Sequence, residues 1–234
     1  MTMSMSMSGA TRLKAGVLAG VLLFCGVAFA ADDPLTAPPP APGTAELSPN
    51  DLVTKVAQDT LRDLDAHRAE YQKDRQKIRA LVDKNMLPYF DTSYAAQLVL
   101  AKNWRTATAE QRKRFVEAFY QSMLQNYGEA VVEFTPDRLK ILPFTGNPQD
   151  TNATVRSEIR RDNGSRVQVN YSLHKTPQGW KAYDVTIEGV SYVKSFRTDF
   201  GSEIDQKGLD AVIQRLESQV ASGTVAKPTA PAKP

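Results

Sequence analysis

The sequence predicts an α+β domain, a curved four-stranded antiparallel sheet with helices packed on its apolar face. Helical periodicity covers residues 48 to about 130 and returns after residue 191, whereas residues 137–190 alternate between apolar and polar side chains with period two. Because amphipathic helices and a one-sided sheet must each bury an apolar face, this order of elements predicts helices covering one side of the sheet.

The N-terminus, residues 1–30, is predicted to be a cleaved signal peptide. Arg12 and Lys14 precede an apolar run too short to cross a membrane, and Ala28-Phe29-Ala30 supplies the small residues of a cleavage site. The chain carries 29 basic and 26 acidic residues, so loss of these two cations leaves 27 against 26, a charge of +1. So small a charge argues against a nucleic-acid partner.

The single cysteine, Cys25, lies inside the apolar run. A lipoprotein signal would acylate this residue, but Phe24 before it is bulkier than the small residue that such a signal uses. The mature chain is then predicted to have no disulfide, no thiol nucleophile and no thiolate metal site. Export without disulfides predicts a bacterial periplasm.

Proline-rich segments bound the predicted folded domain, residues 48–220. Residues 31–47 form a predicted disordered linker, and residues 221–234 form a predicted disordered Pro/Ala/Lys tail, because neither contains enough apolar side chains to build a core.

The domain opens with a predicted helix whose N-cap is Ser48 and whose first residue is Pro49. Its inward face is predicted from helical spacing: Leu52, Val53, Val56, Thr60, Leu61 and Leu64. A second helix is predicted from Gln72 to Met86, and Pro88 limits it.

A third helix is predicted from Asp91 to about Asn103, and Thr108 with Gln111 forms a capping box for a fourth. An aromatic stripe runs along the fourth helix at four-residue spacing: Phe115, Phe119, Met123 and Tyr127. Two further helices are predicted at 191 to about 200 and 205–220. Stripes of this kind usually fill a core, but the amount of apolar surface also allows a cavity.

Four strands are predicted at 137–144, 152–161, 165–176 and 179–190, with turns at Asn163-Gly164 and from Thr176 to Gly179. The period-two phase predicts one apolar face: Val155, Ile159, Val167, Val169, Tyr171, Leu173, Tyr183, Val185 and Ile187. It predicts one solvated face: Arg156, Glu158, Arg160, Gln168, Asn170 and His174.

Catalytic motifs are scarce. His67 and His174 are predicted to be solvated surface residues without metal-ligand spacing, and the sequence contains neither a nucleophile elbow nor a phosphate-binding glycine loop. An enzyme of the isomerase or dehydratase type would need a carboxylate in the pocket, such as Asp184. The strand phase instead places Asp184 with Trp180 and Ala182, facing away from the pocket at the surface.

Two long stretches carry ordered motifs, at 89–128 and 180–204. The first matches through Asp91, Ala95, Val99, Leu100, Trp104, Thr108, Gln111, Phe115, Phe119, Leu124 and Tyr127. The second matches through Trp180, Asp184, Val185, Glu188, Gly189, Val190, Ser191, Phe196, Arg197 and Phe200. In these positions, and over residues 50–218 generally, the chain resembles the MlaC family, also called toluene-tolerance auxiliary proteins.

The resemblance implies a periplasmic carrier and not an enzyme, with a bound glycerophospholipid as cargo and no cofactor or metal. Its implied partners are an outer-membrane lipoprotein–porin complex and an inner-membrane ABC transporter complex with a hexameric substrate-binding ring. Its implied role is to maintain outer-membrane lipid asymmetry. The predicted lipid-lining residues are Leu98, Val99, Phe119, Met123, Tyr127, Val169, Tyr171, Val185, Ile187, Tyr192 and Phe196. The basic segment 102–114 is either a solvated helix face or a surface that docks a partner or faces the lipid headgroup.

Overall fold

A computed structural model describes residues 47–132, 135, 137–147, 149–161 and 163–223. The predicted signal peptide and nearly all of the predicted linker and tail lie outside these residues. The predicted α+β class is confirmed, since helices precede and follow a single antiparallel sheet.

Two helices begin the domain, α1 (Pro49–Tyr71) and α2 (Arg75–Asn85). The predicted N-cap of α1 is confirmed, because Ser48 Oγ accepts a hydrogen bond from the backbone N–H of Asp51 at 3.2 Å. Helix α2 begins later than predicted, since Asp74 caps it by accepting from the N–H of Gln76 at 2.9 Å.

Helix α3 (Thr92–Leu100) starts at the predicted cap, Asp91, whose carboxylate accepts from the N–H of Tyr94 at 2.9 Å. It ends earlier than predicted because Ala101 adopts φ 48° and ψ −110°, a backbone conformation that strains any residue with a Cβ. The chain resumes helical structure as α4 (Lys102–Thr106).

The long helix α5 (Ala109–Val131) begins at the predicted capping box. The N–H of Thr108 donates to Gln111 Oε1 at 2.9 Å, and the N–H of Gln111 donates to Thr108 Oγ1 at 3.1 Å. Both partners of the capping box are therefore in place.

The sheet contains five strands in sequential antiparallel order: β1 (Leu139–Ile141), β2 (Asn152–Arg160), β3 (Arg166–Thr176), β4 (Gly179–Ile187) and β5 (Val190–Ser191). The predicted four strands thus gain a two-residue fifth. The predicted turns join β2 to β3, where Gly164 has φ 80°, and β3 to β4, where Thr176 lies opposite Gly179.

A β-bulge between β3 and β4 changes the predicted faces. Tyr171 lies opposite Val185, and Leu173 lies opposite Ala182, so β4 has one residue more than β3 across this interval. Ala182 and Trp180 therefore share the apolar face with Val185, contrary to the strict period-two prediction. Tyr183 instead contacts Tyr94 and His174, and so leaves the predicted apolar set.

The last two helices are α6 (Tyr192–Lys207) and α7 (Leu209–Ser222), which meet at Gly208 with φ 82°. Helix α6 is longer than predicted, because the chain stays helical through Gly201. Helices α3 and α6 pack beside β4, α1 packs on β2, and α7 packs along α5.

Most of the buried apolar side chains of the described residues fall into three separate clusters. The helical cluster joins α3, α5, α6 and α7 around Phe115 and Ile213. The sheet cluster joins the start of α1 to β2, β3 and β4 around Val155 and Leu173. The hairpin cluster joins the end of α1 to α2 and the end of α5 around Leu64. The helical cluster is the largest of the three, and a main core with smaller satellite clusters is the usual arrangement in a domain.

Candidate functional site

The aromatic stripe of α5 divides into a buried half and a half-buried half. Phe115 and Phe119 are buried and stack with ring centroids 5.7 Å apart. Phe200 packs edge-on against both rings, and Phe196 packs edge-on against Phe119 at 5.4 Å. This half of the stripe fills the helical cluster, so Phe119 lies in core as well as in the predicted lipid-lining set.

The second half of the stripe lies at the margin of the helical cluster. Tyr127 packs edge-on against Tyr192 at 5.6 Å, and both rings contact Phe196, at 6.5 and 6.0 Å. Met123 is also half-buried against the helical cluster. Burial raises the pKa of Tyr127 and of Tyr192, so both hydroxyls stay neutral at physiological pH.

The sheet contributes four of the predicted residues on one face. Val169 lies opposite Ile187, and Tyr171 lies opposite Val185. Val169 is buried, whereas the other three are half-buried. Burial also raises the pKa of the Tyr171 hydroxyl. The structure therefore brings the predicted sheet residues together as one continuous apolar patch.

Two predicted lipid-lining residues of α3 lie elsewhere. Val99 is buried at 1% exposure inside the helical cluster. Leu98 lines a surface cleft of about 420 Å³ between α3, α4 and α6, which we call the outer cleft. Seven residues line the outer cleft: Gln97, Leu98, Ala101, Lys102, Trp104, Arg105 and Arg197. Helical spacing alone could not separate these two faces, because α3 is apolar on nearly every side.

The outer cleft is basic. Lys102 pairs with Asp205 at 3.0 Å, but within the described residues Arg105 and Arg197 form no ion pair. Arg112 lies over the Trp104 ring at 5.3 Å and donates to the Trp104 carbonyl at 2.8 Å, which holds the indole in place. The cleft thus combines a fixed aromatic side with two exposed guanidinium groups.

Asp184, the predicted surface carboxylate, is buried at 8% exposure. Its Oδ2 accepts from the Ser191 hydroxyl at 2.5 Å, and its Oδ1 accepts from the backbone N–H of Val193 at 3.0 Å. It lies opposite Ser172, on the face away from Tyr171 and Val185, as the strand phase predicts. Both oxygens therefore accept hydrogen bonds from the start of α6. This arrangement indicates a structural role for Asp184 and not a role in proton transfer.

His174 is not the solvated residue predicted. Its Nε2 lies 3.0 Å from Asp91 Oδ2, and its ring stacks on Tyr94 at 4.3 Å. The N-terminus of α3 thus covers part of the predicted solvated face. His67 is exposed, as predicted, and contacts Asp63 at 3.1 Å.

Sequence reasoning missed several residues of the apolar interior. Trp180 and Ala182 join the sheet cluster only because of the bulge, which no local signal marks. Ser157 has the strand phase of the apolar face and is buried, with its hydroxyl donating to the Val169 carbonyl at 2.9 Å. The period-two phase could have identified Ser157, although its polarity hid it.

No group of three or more His, Cys, Asp or Glu side chains in the described part of the chain is arranged to hold a metal ion. Among the same residues, no helix has both the length and the hydropathy to cross a membrane.

The fold defines an α+β domain in which helices precede and follow one antiparallel sheet, with half-buried apolar side chains on α5, α6, β3 and β4. The family described as "MlaC protein" matches residues 54–218, and the chain belongs to this family. The resemblance deduced from the two sequence motifs is thereby confirmed.

Several known proteins are similar to the chain. Toluene tolerance protein ttg2D of Pseudomonas putida is 27% identical over 192 residues, which cover 81% of this chain and 89% of the relative. The intermembrane phospholipid transport system binding protein MlaC of Haemophilus influenzae is 24% identical over 180 residues, covering 76% and 84%. A phospholipid-binding protein from Ralstonia solanacearum, solved in complex with a phospholipid, superimposes with a TM-score of 0.70 at 25% identity, covering 76% of this chain and 99% of that one.

Proposed function

We propose that this chain is a periplasmic carrier that binds a glycerophospholipid by its acyl chains and moves it between membrane complexes. The observation that carries the proposal is the fold shared with a protein solved in complex with a phospholipid, together with the half-buried apolar side chains of α5, α6, β3 and β4. The name of the Haemophilus relative, an intermembrane phospholipid transport binding protein, points the same way.

The acyl chains would part the seam between the helical cluster and the sheet. The half-buried residues that we place along that seam come from three elements: Met123 and Tyr127 from α5, Tyr192 from α6, and Val185 and Ile187 from β4. Such side chains can exchange their contacts with neighbouring side chains for contacts with acyl chains. This exchange does not expose the fully buried core, because these side chains already lie at its margin. The eleven lipid-lining residues predicted from the sequence remain our proposal for this pocket, with Leu98 and Val99 requiring movement of α3.

The energetics suit a carrier. Two acyl chains hold roughly 30 methylenes at about 0.8 kcal/mol each, a gross cost on the order of 24 kcal/mol for exposing them to water. Free diffusion of the lipid across the periplasm is therefore too slow. Because the chains are equally dry in the membrane and in the protein, the net transfer free energy can be near zero, and the carrier lowers only the barrier.

The proposed partners are the outer-membrane lipoprotein–porin complex and the inner-membrane ABC transporter complex with its hexameric substrate-binding ring. A protein that serves both must expose a docking surface. The outer cleft fits this need, since Arg105, Arg197 and Trp104 are residue types that dominate protein interfaces. It also contains Lys102 and Arg105, two of the five basic residues in the predicted basic segment.

The proposal gives no catalytic role to any residue. The alternative, an isomerase-like or dehydratase-like enzyme, depended on Asp184. Its two oxygens already accept hydrogen bonds from Ser191 and Val193, and a substrate would have to displace them.

The test is native mass spectrometry of the protein purified from the periplasm without detergent, followed by organic extraction. We expect a mass that begins at Ala31, plus one phospholipid of mixed headgroup composition. A bare polypeptide mass, with no lipid acquired after incubation with liposomes, would contradict the proposal. A mass retaining an acylated Cys25 would replace the cleaved carrier with an anchored lipoprotein.

A further inference from the structure

Thr60 lies on α1 where two of the apolar clusters meet. Val56, one turn earlier, packs against the sheet cluster, and Leu64, one turn later, belongs to the hairpin cluster. Residues four apart on a helix lie on one face, so the Thr60 side chain lies at the boundary between these clusters. We call this boundary the α1 seam.

The Thr60 hydroxyl is buried without a hydrogen bond. The residue is 7% exposed, and its Oγ1 finds no hydrogen-bond partner among the protein atoms. Buried hydroxyls are nearly always paired, because otherwise nothing compensates for the lost water. A valine of the same shape would fill the position without that cost, so the hydroxyl disfavours this closed arrangement and would gain from an acceptor.

An acyl ester supplies such an acceptor. In a diacyl phospholipid, the ester carbonyl oxygens lie where the hydrocarbon chains join glycerol, and they accept hydrogen bonds without carrying charge. The side chains one turn on either side of Thr60 are apolar, as the start of an acyl chain requires.

A phosphate fits the same position poorly. One neutral hydroxyl cannot compensate for burying an anionic group. Asp63, three residues further along α1, already pairs with Lys84 at 3.0 Å, so this cation is not free to bind a phosphate.

We propose that the Thr60 hydroxyl donates a hydrogen bond to an ester carbonyl oxygen of the bound lipid, so that the α1 seam selects acyl esters over plain hydrocarbon chains. This inference rests on the proposed phospholipid-carrier function. The Thr60 side chain would thus make binding depend on the acyl ester of the lipid and not on its headgroup.

The experiment measures the binding of two lipids to the full mature wild-type chain and to three variants of it. The lipids are diacyl phosphatidylglycerol and its diether analogue of equal chain length, which lacks both carbonyls. Dissociation constants are measured for the wild type, Thr60→Val and Thr60→Ser. Thr54→Val, which makes the same chemical change on another face of α1, is the matched control.

We expect the wild type, Thr60→Ser and Thr54→Val to bind the diester about fivefold to tenfold more tightly than the diether, as one buried hydrogen bond provides. Thr60→Val should bind both lipids equally. The diester-to-diether ratio within one protein is insensitive to partial unfolding, because folding affects both lipids alike.

Two results would overturn the inference in different ways. If Thr60→Val keeps the wild-type ratio, the hydroxyl does not contact the ester, although the carrier function stands. If the wild type binds neither lipid, the proposed function fails, and the role of Thr60 fails with it.

Discussion

The carboxylate of Asp184 on β4 accepts a hydrogen bond from the backbone N–H of Val193 at 3.0 Å, and so joins the sheet to the first turn of α6. Its second oxygen accepts from the Ser191 hydroxyl, which in turn caps α6 by accepting from the N–H of Lys194 at 3.1 Å. Helix α6 carries Tyr192 and Phe196, so this carboxylate sets the position of one side of the proposed pocket.

Replacing Asp184 with Asn should destabilise the fold by about 1–3 kcal/mol, because a buried acceptor and a negative charge at the N-terminus of α6 are lost together. Urea denaturation measures the change. Asp199→Asn, an exposed position on the same helix, should change stability by less than about 0.5 kcal/mol. Equal stability of Asp184→Asn and the wild type would show that the buried contact is neutral.

Met123→Glu should remove most bound phospholipid, because it places a charge among the half-buried apolar side chains of the proposed pocket. Leu124→Glu is the matched control. Leu124 is also half-buried on α5, but it lines a separate surface pocket with Ile78 and Gln121. Lipid content per protein after extraction is the measurement. Equal retention in Met123→Glu and the wild type would remove Met123 from the pocket.

Val169→Glu tests the sheet side of the same pocket, and we expect the same loss of lipid. Val169 is 4% exposed, so circular dichroism must first show that the variant folds. A folded Val169→Glu protein with full lipid content would exclude this part of the sheet from the binding site.

Asp63 should make stability depend on pH at the acidic end. The Tyr71 hydroxyl donates to Asp63 at 2.6 Å, and this bond, with Lys84 and Asn85, lowers the pKa of Asp63 from 3.8 to about 2. A carboxyl with a lowered folded-state pKa stabilises the protein above its unfolded pKa and loses that contribution as pH falls through the folded value. We expect a loss of about 2 kcal/mol between pH 5 and pH 2.

Tyr71→Phe removes the largest cause of this shift, so its stability should fall less steeply over the same range. Denaturant unfolding at several pH values measures both proteins, with Tyr89→Phe as the control. Parallel profiles for the wild type and Tyr71→Phe would contradict the assigned role of the Tyr71 hydroxyl.

Reversing the charges of the outer cleft should weaken docking. Arg105→Glu with Arg197→Glu is expected to lower affinity for the purified membrane complexes about tenfold or more, with the effect decreasing as salt rises. Lipid content should stay unchanged, because neither side chain is placed in the pocket. Lys113→Glu, in the same basic segment but outside the cleft, is the control. Undiminished binding of the double variant would locate docking elsewhere.

Local signals in the sequence predicted the parts of the fold that depend on neighbours along the chain. The Ser48 and Asp91 caps, the Thr108–Gln111 box and the Asn163-Gly164 turn all lie where the sequence placed them. Each depends on hydrogen bonds or backbone angles within a few residues, so the residue types suffice. The boundary errors arose where a helix ends for other reasons, as at Ala101, an L-residue with positive φ that no composition rule predicts.

The sequence by itself determined the α+β order of elements, the period-two strands, the aromatic stripe and the family to which the chain belongs. Only the tertiary structure decided which side chains of each strand and helix face the interior. It introduced the bulge that turns Trp180 inward, turned Leu98 to the outer cleft, and left Thr60 at the junction of two clusters. The physical reason is that periodicity records which side chains are apolar, whereas the choice of partner depends on contacts between residues far apart in the chain.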